Sequence, residues 1–411
     1  MDADVIIAGA GPAGTVAAYE LAMRGARVLI LEKSVFPRYK VCGAGLTHKI
    51  LREIPFDVSP VFETEITSIH FSRGFRDVFV RNSSEPMMYC TMRDKFDHFL
   101  LGKAMAAGAR VLFGEKVKEV TQHSLGVDVV TGKGLFTASL LIGADGASGA
   151  VGRSAGLREH IMHGLAWEAE IMADPVMVKK LSHTVFLDWG TFPGGYGWVF
   201  PKKDHFSIGV GGPASLSKYM MPYYQRFLRY LESGYWMADG GSGMKEVEGN
   251  FVLKTISLKS WPIPVRMKKS HFHCGYVLVA GDAGGLTDPL TGEGIYYAVR
   301  SGKLAAAACS DFLQGKSQSL ESYTESINQE LMGELLEANH IKDLFNTAPR
   351  RIHNMVRDND RAWKAFGKIL RGERWYADVR KGFGKWKFLW GLTCQLSKWI
   401  SDYREKKFNY P

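Results

Sequence analysis

Hydrophobic and polar positions repeat with two different periods along the chain, and the first thirty residues hold the clearest case. An apolar run from Asp4 to Ala8 is followed by a Gly-rich turn from Gly9 to Gly14, a helical stretch over 15–24 and a second apolar run over 27–31. Short apolar runs bounded by turn residues predict buried strands, so the segment reads strand, turn, helix, strand, which is a βαβ unit. A second helix is expected over 95–107, followed by a strand at 109–113. Two later apolar runs predict strands that also end in Gly/Asp turns, one at 139–142 before Gly143-Ala144-Asp145 and one at 276–280 before Gly281-Asp282. Ligands gather beyond the carboxyl ends of the strands in open α/β sheets. The three turns are therefore expected to meet around one ligand although they lie far apart in sequence.

Between these runs the pattern changes. Segments 63–81 and 165–261 are richer in aromatics and alternate, which predicts an antiparallel sheet forming a second domain. From about 319 onward the period is helical. The expected fold class is α/β: a discontinuous Rossmann-like domain from 1–62, 90–164 and 275–318, an antiparallel-sheet substrate domain from 63–89 and 165–274, and a helical C-terminal region over 319–411. Asp239-Gly240-Gly241-Ser242-Gly243 reads as a local loop and not as a linker.

A chain of 411 residues exceeds what one hydrophobic core usually spans, consistent with two or three units. With 46% apolar and 23% charged residues the composition is that of a folded protein. The first residues lack a basic segment and cleavage site, and no run of about 18 apolar residues occurs. The expectation is a cytoplasmic protein that does not span a bilayer. Five scattered cysteines, without a Cys-x-x-Cys pair or a metal-spaced His cluster, argue against a disulfide framework and a zinc site. The formal charge of +10 is concentrated in the tail, where 350–411 carries 16 Lys/Arg against 6 Asp/Glu.

The chemistry starts at Gly9-Ala10-Gly11-Pro12-Ala13-Gly14. Missing side chains between a strand and a helix let the backbone and the helix N-terminus approach a pyrophosphate. Glu32, 18 residues after Gly14, stands at the end of the next strand, where an acid accepts hydrogen bonds from a ribose diol. Gly9, Gly11, Ala13, Gly14, Glu32 and the adjacent Lys33 are the expected dinucleotide contacts. This register alone does not separate FAD from a nicotinamide cofactor.

The later motifs make that separation. Gly281-Asp282-Ala283-Gly284-Gly285, with Pro289 and Gly292-Glu293-Gly294 before a helix, resembles the second flavin-binding signature of hydroxylase-type flavoproteins. The resemblance implies that Asp282 contacts the ribityl chain and that Gly292, Gly294 and Ile295 lie beside the isoalloxazine. A helix N-terminus there would favour the anionic reduced ring. Gly143-Ala144-Asp145-Gly146-Ala147-Ser148 resembles the central Asp-Gly motif of the same superfamily, and Arg93 matches its Arg at the start of a cofactor-flanking helix. Asp145 and Arg93 join the set on that ground.

Two segments narrow the resemblance further. Arg38-Tyr39-Lys40-Val41-Cys42-Gly43-Ala44-Gly45-Leu46 looks like the Cys-Gly-Gly-Gly segment of the geranylgeranyl reductase family, and Pro193-Gly194-Gly195-Tyr196-Gly197-Trp198-Val199-Phe200-Pro201 is similar to its Pro-x-x-Tyr-x-Trp-x-Phe-Pro box. The resemblance covers roughly 1–302, and it implies an FAD-dependent reductase that saturates carbon–carbon double bonds of a polyprenyl chain on a lipid, chlorophyll precursor or quinone. Cys42, Gly43 and Ala44 would then stand beside the cofactor, with Ala44 in place of a glycine narrowing that space. Tyr196, Trp198 and Phe200 would wall an apolar tunnel, because a polyprenyl chain offers only apolar area to hold. Hydride addition also needs a proton, for which Cys42 and Tyr196 are the candidates.

With one Gly-x-Gly-x-x-Gly unit only, an external donor (NADPH, NADH or ferredoxin, undetermined) would have to reach the flavin transiently. Trp386, Leu389, Trp390, Thr393, Leu396 and Ile400 recur at helical spacing amid Lys381, Lys385, Lys387 and Lys398, a pattern suited to the inner face of a membrane. No nucleic-acid module accompanies the charge. A monooxygenase or halogenase on the same scaffold is the alternative enzyme, although the halogenase Trp-x-Trp-x-Ile-Pro box is absent; a non-catalytic prenyl-lipid-binding flavoprotein is the alternative outside catalysis.

Overall fold

The computed structural model describes residues 1–237, 251–381 and 387–408, so the stretch from Asp239 to Gly243 lies outside the described residues. The first strand, Ala3–Ala8, carries Val5, Ile6 and Ile7 with no exposure, because both of its faces are covered. It is the middle of five parallel strands in the order Val277–Val279, Leu135–Gly143, Ala3–Ala8, Val28–Glu32, Arg110–Phe113. Strands buried on both faces read as continuous apolar runs, which is why the sequence marked them clearly. The helix Pro12–Met23 begins on a proline whose missing N–H costs nothing at that position, and the long helix Ile295–Leu313 packs against it. The expected Rossmann-like unit is present, with its last parallel strand arriving more than a hundred residues after the others.

A seven-stranded sheet forms the second layer, in the order Leu253–Arg266, Ile161–Ala173, Phe206–Pro213, Tyr196–Pro201, Thr184–Trp189, Ser68–Arg73, Phe79–Asn82. Every pairing is antiparallel except one, since Thr184–Trp189 runs parallel to Ser68–Arg73. The expected antiparallel sheet is present and includes this one parallel pair. Parallel neighbours require a long crossover, and the intervening chain, which includes much of the first sheet, supplies it. Gly45–Thr47, Met88–Thr91 and Phe62–Ile66 form a separate three-stranded sheet between the layers.

One face of the large sheet buries Ala169, Ile171, Phe186 and Val199 against Tyr223 and Phe227 of the helix Ser217–Glu232. Its other face looks toward the first domain. The C-terminal helices cover the end of that same face: Val356, Trp363 and Leu370 of Pro349–Asp358 and Asp360–Leu370 pack beside Ile69 and Phe71. The Asn359 side chain accepts from the backbone N–H groups of Arg361 and Ala362 at 2.9 and 3.1 Å, which caps the second of these helices.

The last helix, Lys387–Lys407, was expected to present Thr393, Leu396 and Ile400 on one face. Thr393 and Leu396 are exposed and Ile400 is half-buried, while Cys394, Ser397 and Ser401 face inward; Leu396, Trp399 and Tyr403 are 59%, 66% and 55% exposed. Small residues sit inward because they let the helix approach Met332–Thr347 closely. Trp386 and the side chains of Leu389 and Trp390 lie outside the description. Among the described residues no helix is long and apolar enough to cross a membrane.

Candidate active site

The three Gly/Asp turns come together. Ala144 N donates to Ala8 O at 2.9 Å, and Ala280 N to Gly143 O at 2.9 Å, so the strand ends lie side by side. Gly9 has φ +100°, and a Cβ there would collide with the Ala144 carbonyl oxygen, so only glycine allows this approach. Glu32 is buried and ties the turn from beneath: its Oε2 accepts from Ala10 N at 2.7 Å and its Oε1 from Ser34 N at 2.8 Å.

Beyond the turns lies one cavity of about 1860 Å³, whose wall includes Gly9, Gly11, Ala13, Glu32, Lys33, Asp145 and Asp282. Gly14 lies within the helix and off this wall. Cys42, Gly43, Ala44, Arg93, Gly292, Gly294 and Ile295 also line it, as do Tyr196, Trp198 and Phe200. Around the turns the cavity carries polar groups of the kind a dinucleotide engages. Among the described residues, Arg38 Nη1, Asp145 Oδ1 and Thr287 Oγ1 are buried without a hydrogen-bond partner, and all three residues line the cavity. Buried polar atoms are rarely left unpaired, so these fit a polar ligand such as FAD. Asp145 Oδ2 accepts from Val151 N at 3.0 Å, and burial pushes its carboxyl above the ordinary range.

Arg93 does not stand alone. Its Nε and Nη2 donate to the two oxygens of Asp97, each at 2.8 Å, and Arg38 Nη2 reaches Asp97 Oδ2 at 3.0 Å. Burial disfavours the guanidinium charge, but Asp97 outweighs it and Arg93 stays firmly cationic. Its helix thus holds a buried cation at the cavity wall.

The two segments that carried the family resemblance interlock. Cys42 N donates to Glu168 Oε1 at 2.7 Å, while Trp198 Nε1 donates to Glu168 Oε2 at 3.1 Å. Lys202, one residue past the aromatic box and buried, donates to the carbonyls of Gly43 and Thr91 at 2.7 and 2.8 Å. Phe200 lies flat against the loop: a Cβ on Gly43 would stand 2.5 Å from its Cδ2. Ala44 sits at φ +49°, in the left-handed region where a non-glycine residue costs about 1 kcal/mol. Its backbone is held there by Thr91 N, which donates to Ala44 O at 3.0 Å, and by its own N–H, which points to Cys42 Sγ at 3.3 Å. Tyr196 donates its hydroxyl to Thr291 O, beside Gly292, and burial pushes its phenol pKa up. The aromatic box therefore grips both loops expected beside the flavin.

Several site residues went unnoticed in the sequence. Glu168 is fully buried on the cavity wall, and burial, followed by the nearby Glu170, pushes its carboxyl up to about 7. Lys202 and the N–H donors of Trp198 and Cys42 act in the opposite direction. Glu293 accepts from Thr47 Oγ1 and pairs with Lys49 Nζ at 2.7 Å, holding the Gly292–Gly294 turn. Asp288, buried, accepts from Leu290 N at 2.8 Å, Thr291 N at 3.1 Å and the hydroxyl of Tyr376 at 2.8 Å. The available signal was weak: two acids, Glu168 and Glu170, inside an otherwise apolar run. From the aromatic box the cavity continues between Phe71, Leu187, Trp189, Ile352, Phe366 and Leu370, which give that end an apolar wall.

A Gly-rich turn at a strand end, a buried acid beneath it and a second Gly/Asp turn beside it define a dinucleotide-binding enzyme of the flavoprotein class. The FAD binding domain family matches residues 2–210. Digeranylgeranylglycerophospholipid reductase of Methanocella arvoryzae is 30% identical over 371 residues, covering 86% of this chain and 90% of its own. Geranylgeranyl diphosphate reductase of Rhodobacter capsulatus is 30% identical over 334 residues, 78% of each chain. A geranylgeranyl bacteriochlorophyll reductase-like protein from Thermoplasma acidophilum shares the fold with a TM-score of 0.74 over 93% of this chain and 98% of that one, at 21% identity. The chain belongs to the geranylgeranyl reductase family of FAD-binding flavoproteins. It is an FAD-dependent oxidoreductase, and a flavin-dependent brominase shares its fold with a TM-score of 0.68 at 20% identity.

Proposed function

We propose that the protein saturates carbon–carbon double bonds in the polyprenyl chain of a lipid. One observation carries this reading: the cavity that begins at the Gly-rich turn runs on, past Cys42 and the aromatic box, into the apolar wall around Phe71, Leu187 and Phe366. A charge-free chain is held by apolar area, at about 25 cal/mol per Å² buried. The two named relatives differ in the substrates they are named for but share the geranylgeranyl chain, which supports the chain and not the headgroup as the common element.

In this reading 1–62, 90–164 and 275–318 bind FAD, and 63–89 with 165–274 form the substrate domain. Gly9, Gly11, Ala13, Glu32 and Lys33 hold the adenosine and pyrophosphate part, with Gly14 packing the helix beneath. Asp145, Asp282 and Arg93 stand further along, and Cys42 to Ala44 with Gly292, Gly294 and Ile295 border the ring. Bound FAD, once reduced by an external donor, supplies hydride. Trp198 and Phe200 fix the Cys42 loop while Tyr196 fixes the Gly292 turn, so substrate placement depends on the box even where it only touches protein. Cys42, half-buried, and Tyr196, whose proton is engaged by Thr291 O, stand at the same end of the cavity. The exposed Leu396, Trp399 and Tyr403 among C-terminal lysines and arginines suit contact with an anionic membrane surface that holds the substrate.

The test is incubation of the flavin-loaded, reduced protein with a geranylgeranyl lipid in vesicles. Product masses should rise in steps of two hydrogens. Substrate-dependent oxygen consumption without that mass gain would assign the monooxygenase alternative instead.

A further inference from the structure

Glu168 has an outward connection that the loop clamp does not need. Glu168 and Glu170 are alternate residues of the strand Ile161–Ala173, on one face and about 6.6 Å apart along the strand. Glu170 Oε2 accepts from Ser207 Oγ at 2.7 Å and lies 3.3 Å from His205 Nε2. His205 Nδ1 in turn lies 2.7 Å from Asp204 Oδ1, on a side chain that is 75% exposed. Ionisable groups therefore run from solvent, through Asp204, His205 and Glu170, to a carboxyl on the cavity wall. The two carboxyls are close enough to interact, since Glu170 is among the groups that raise the Glu168 carboxyl.

Resting on the reductase reading, we propose that Glu168 is the acid that protonates the substrate double bond, resupplied from solvent through Glu170 and His205. The alkene π pair forms a C–H bond with the Glu168 proton, leaving a carboxylate. The adjoining carbon accepts the hydride supplied by bound, reduced FAD, and a nicotinamide or ferredoxin-class donor provides the two electrons spent. A proton passed inward from His205 by way of Glu170 restores the acid.

The electrostatic setting agrees. Burial and Glu170 hold the Glu168 carboxyl near about 7, so a proton is available at neutrality. Burial lowers the His205 pKa, but Glu170 and Asp204 outweigh it and the net shift is upward. The groups facing Glu168 are Glu170 on its own strand, Tyr39 and Cys42 from the loop, Lys259 opposite it in register, and Tyr196 and Lys202 from the box side, with Lys40 beside Cys42. Tyr224 of the helix Ser217–Glu232 and Arg93 behind Cys42 complete the set. Burial lowers Lys40 to about 8, so a wild-type pH profile alone does not assign a limb near neutrality.

The test is single-turnover alkene reduction by the flavin-loaded wild type, Glu168→Gln, Glu168→Asp and His205→Asn across neutral pH, with product made in D2O. The wild-type rate should fall as pH rises through about 7. Compared at equal flavin occupancy, E168Q should turn over about 100-fold or more slowly and lose that limb, while E168D keeps it. H205N should slow turnover in a way that added imidazole restores. The infrared band of a protonated carboxyl that titrates in the wild type should vanish in E168Q. A wild type that reduces polyprenyl chains together with an E168Q of equal rate and unchanged profile overturns the acid and leaves the reductase. A wild type that reduces none sinks the reductase reading and this inference with it. If E168Q fails to take up flavin, E168D and H205N decide by the same readouts.

Discussion

Replacing Gly43 with alanine tests whether the two family motifs work as one unit. A methyl group at Gly43 would stand 2.5 and 2.8 Å from Cδ2 and Cε2 of Phe200 and 3.3 Å from Trp198 Nε1. Non-bonded carbons settle near 3.5–4.0 Å, so the ring must withdraw by about 1 Å. It has little room, because Lys202 fixes the loop on one side and Glu168 fixes both the loop and Trp198 on the other. Overpacking of this kind costs about 1–3 kcal/mol. Phe200→Leu alone should cost about 1 kcal/mol, since it removes part of a half-buried ring. The double variant should be more stable than the sum of the two changes predicts, by about 1–2 kcal/mol, because the leucine vacates the space the methyl needs. Urea unfolding of the wild type, both single variants and the double variant at one fixed excess of FAD measures the cycle, and FAD titration should weaken in parallel for G43A. Effects that add to within about 0.5 kcal/mol would refute the interlock.

Three further outcomes are expected. Burial raises Glu168 from 4.5 to about 7, and because the folded value lies above the unfolded one, its contribution is complete below 4.5 and lost as pH rises through 7. The stability difference between wild type and E168Q should therefore move by about 3 kcal/mol across that window in favour of the variant at high pH, whatever constant offset the lost acceptor adds; a flat difference contradicts the burial argument. Gly9→Ala meets both φ +100° and the Ala144 carbonyl, so the purified variant should lack flavin absorbance while retaining helical and strand circular dichroism. Tyr376→Phe removes a 2.8 Å bond to the buried Asp288, with an expected loss of about 1.5–3 kcal/mol, read by urea midpoint and by faster proteolysis near Arg374.

The convergence of the Gly/Asp turns on one cavity was legible because its signals are local. Gly9, Gly11 and Glu32 occupy fixed offsets within one βαβ unit, and Asp282 lies in a turn whose neighbours are all within a few residues. The second sheet was legible as aromatic alternation but not in its pairing. Nothing in 184–189 or 68–73 announces that these two segments run parallel, since that depends on the chain between them. Glu168 and Lys202 were hidden for a related reason. Their partners are 126 and 159 residues away, and either residue by itself reads as an unremarked charge in a strand or after one.

The hidden residues also explain the legible ones. Spacing alone leaves the aromatic box with two accounts, a packed core strand or a wall for substrate. The structure joins them: Trp198, Phe200 and Tyr196 line the cavity and, with the same side chains, hold Glu168, the Cys42–Gly45 loop and Thr291. A carboxyl placed where it must accept from Cys42 N and Trp198 Nε1 cannot be exchanged for an apolar group without leaving two buried donors unpaired, at about 1–3 kcal/mol each. That structural demand fixes an oxygen-bearing side chain at position 168, and burial beside Glu170 then sets its proton affinity near neutrality. Packing and proton chemistry thus meet in one residue, so a substitution there must be judged by its pH profile and not by loss of activity alone.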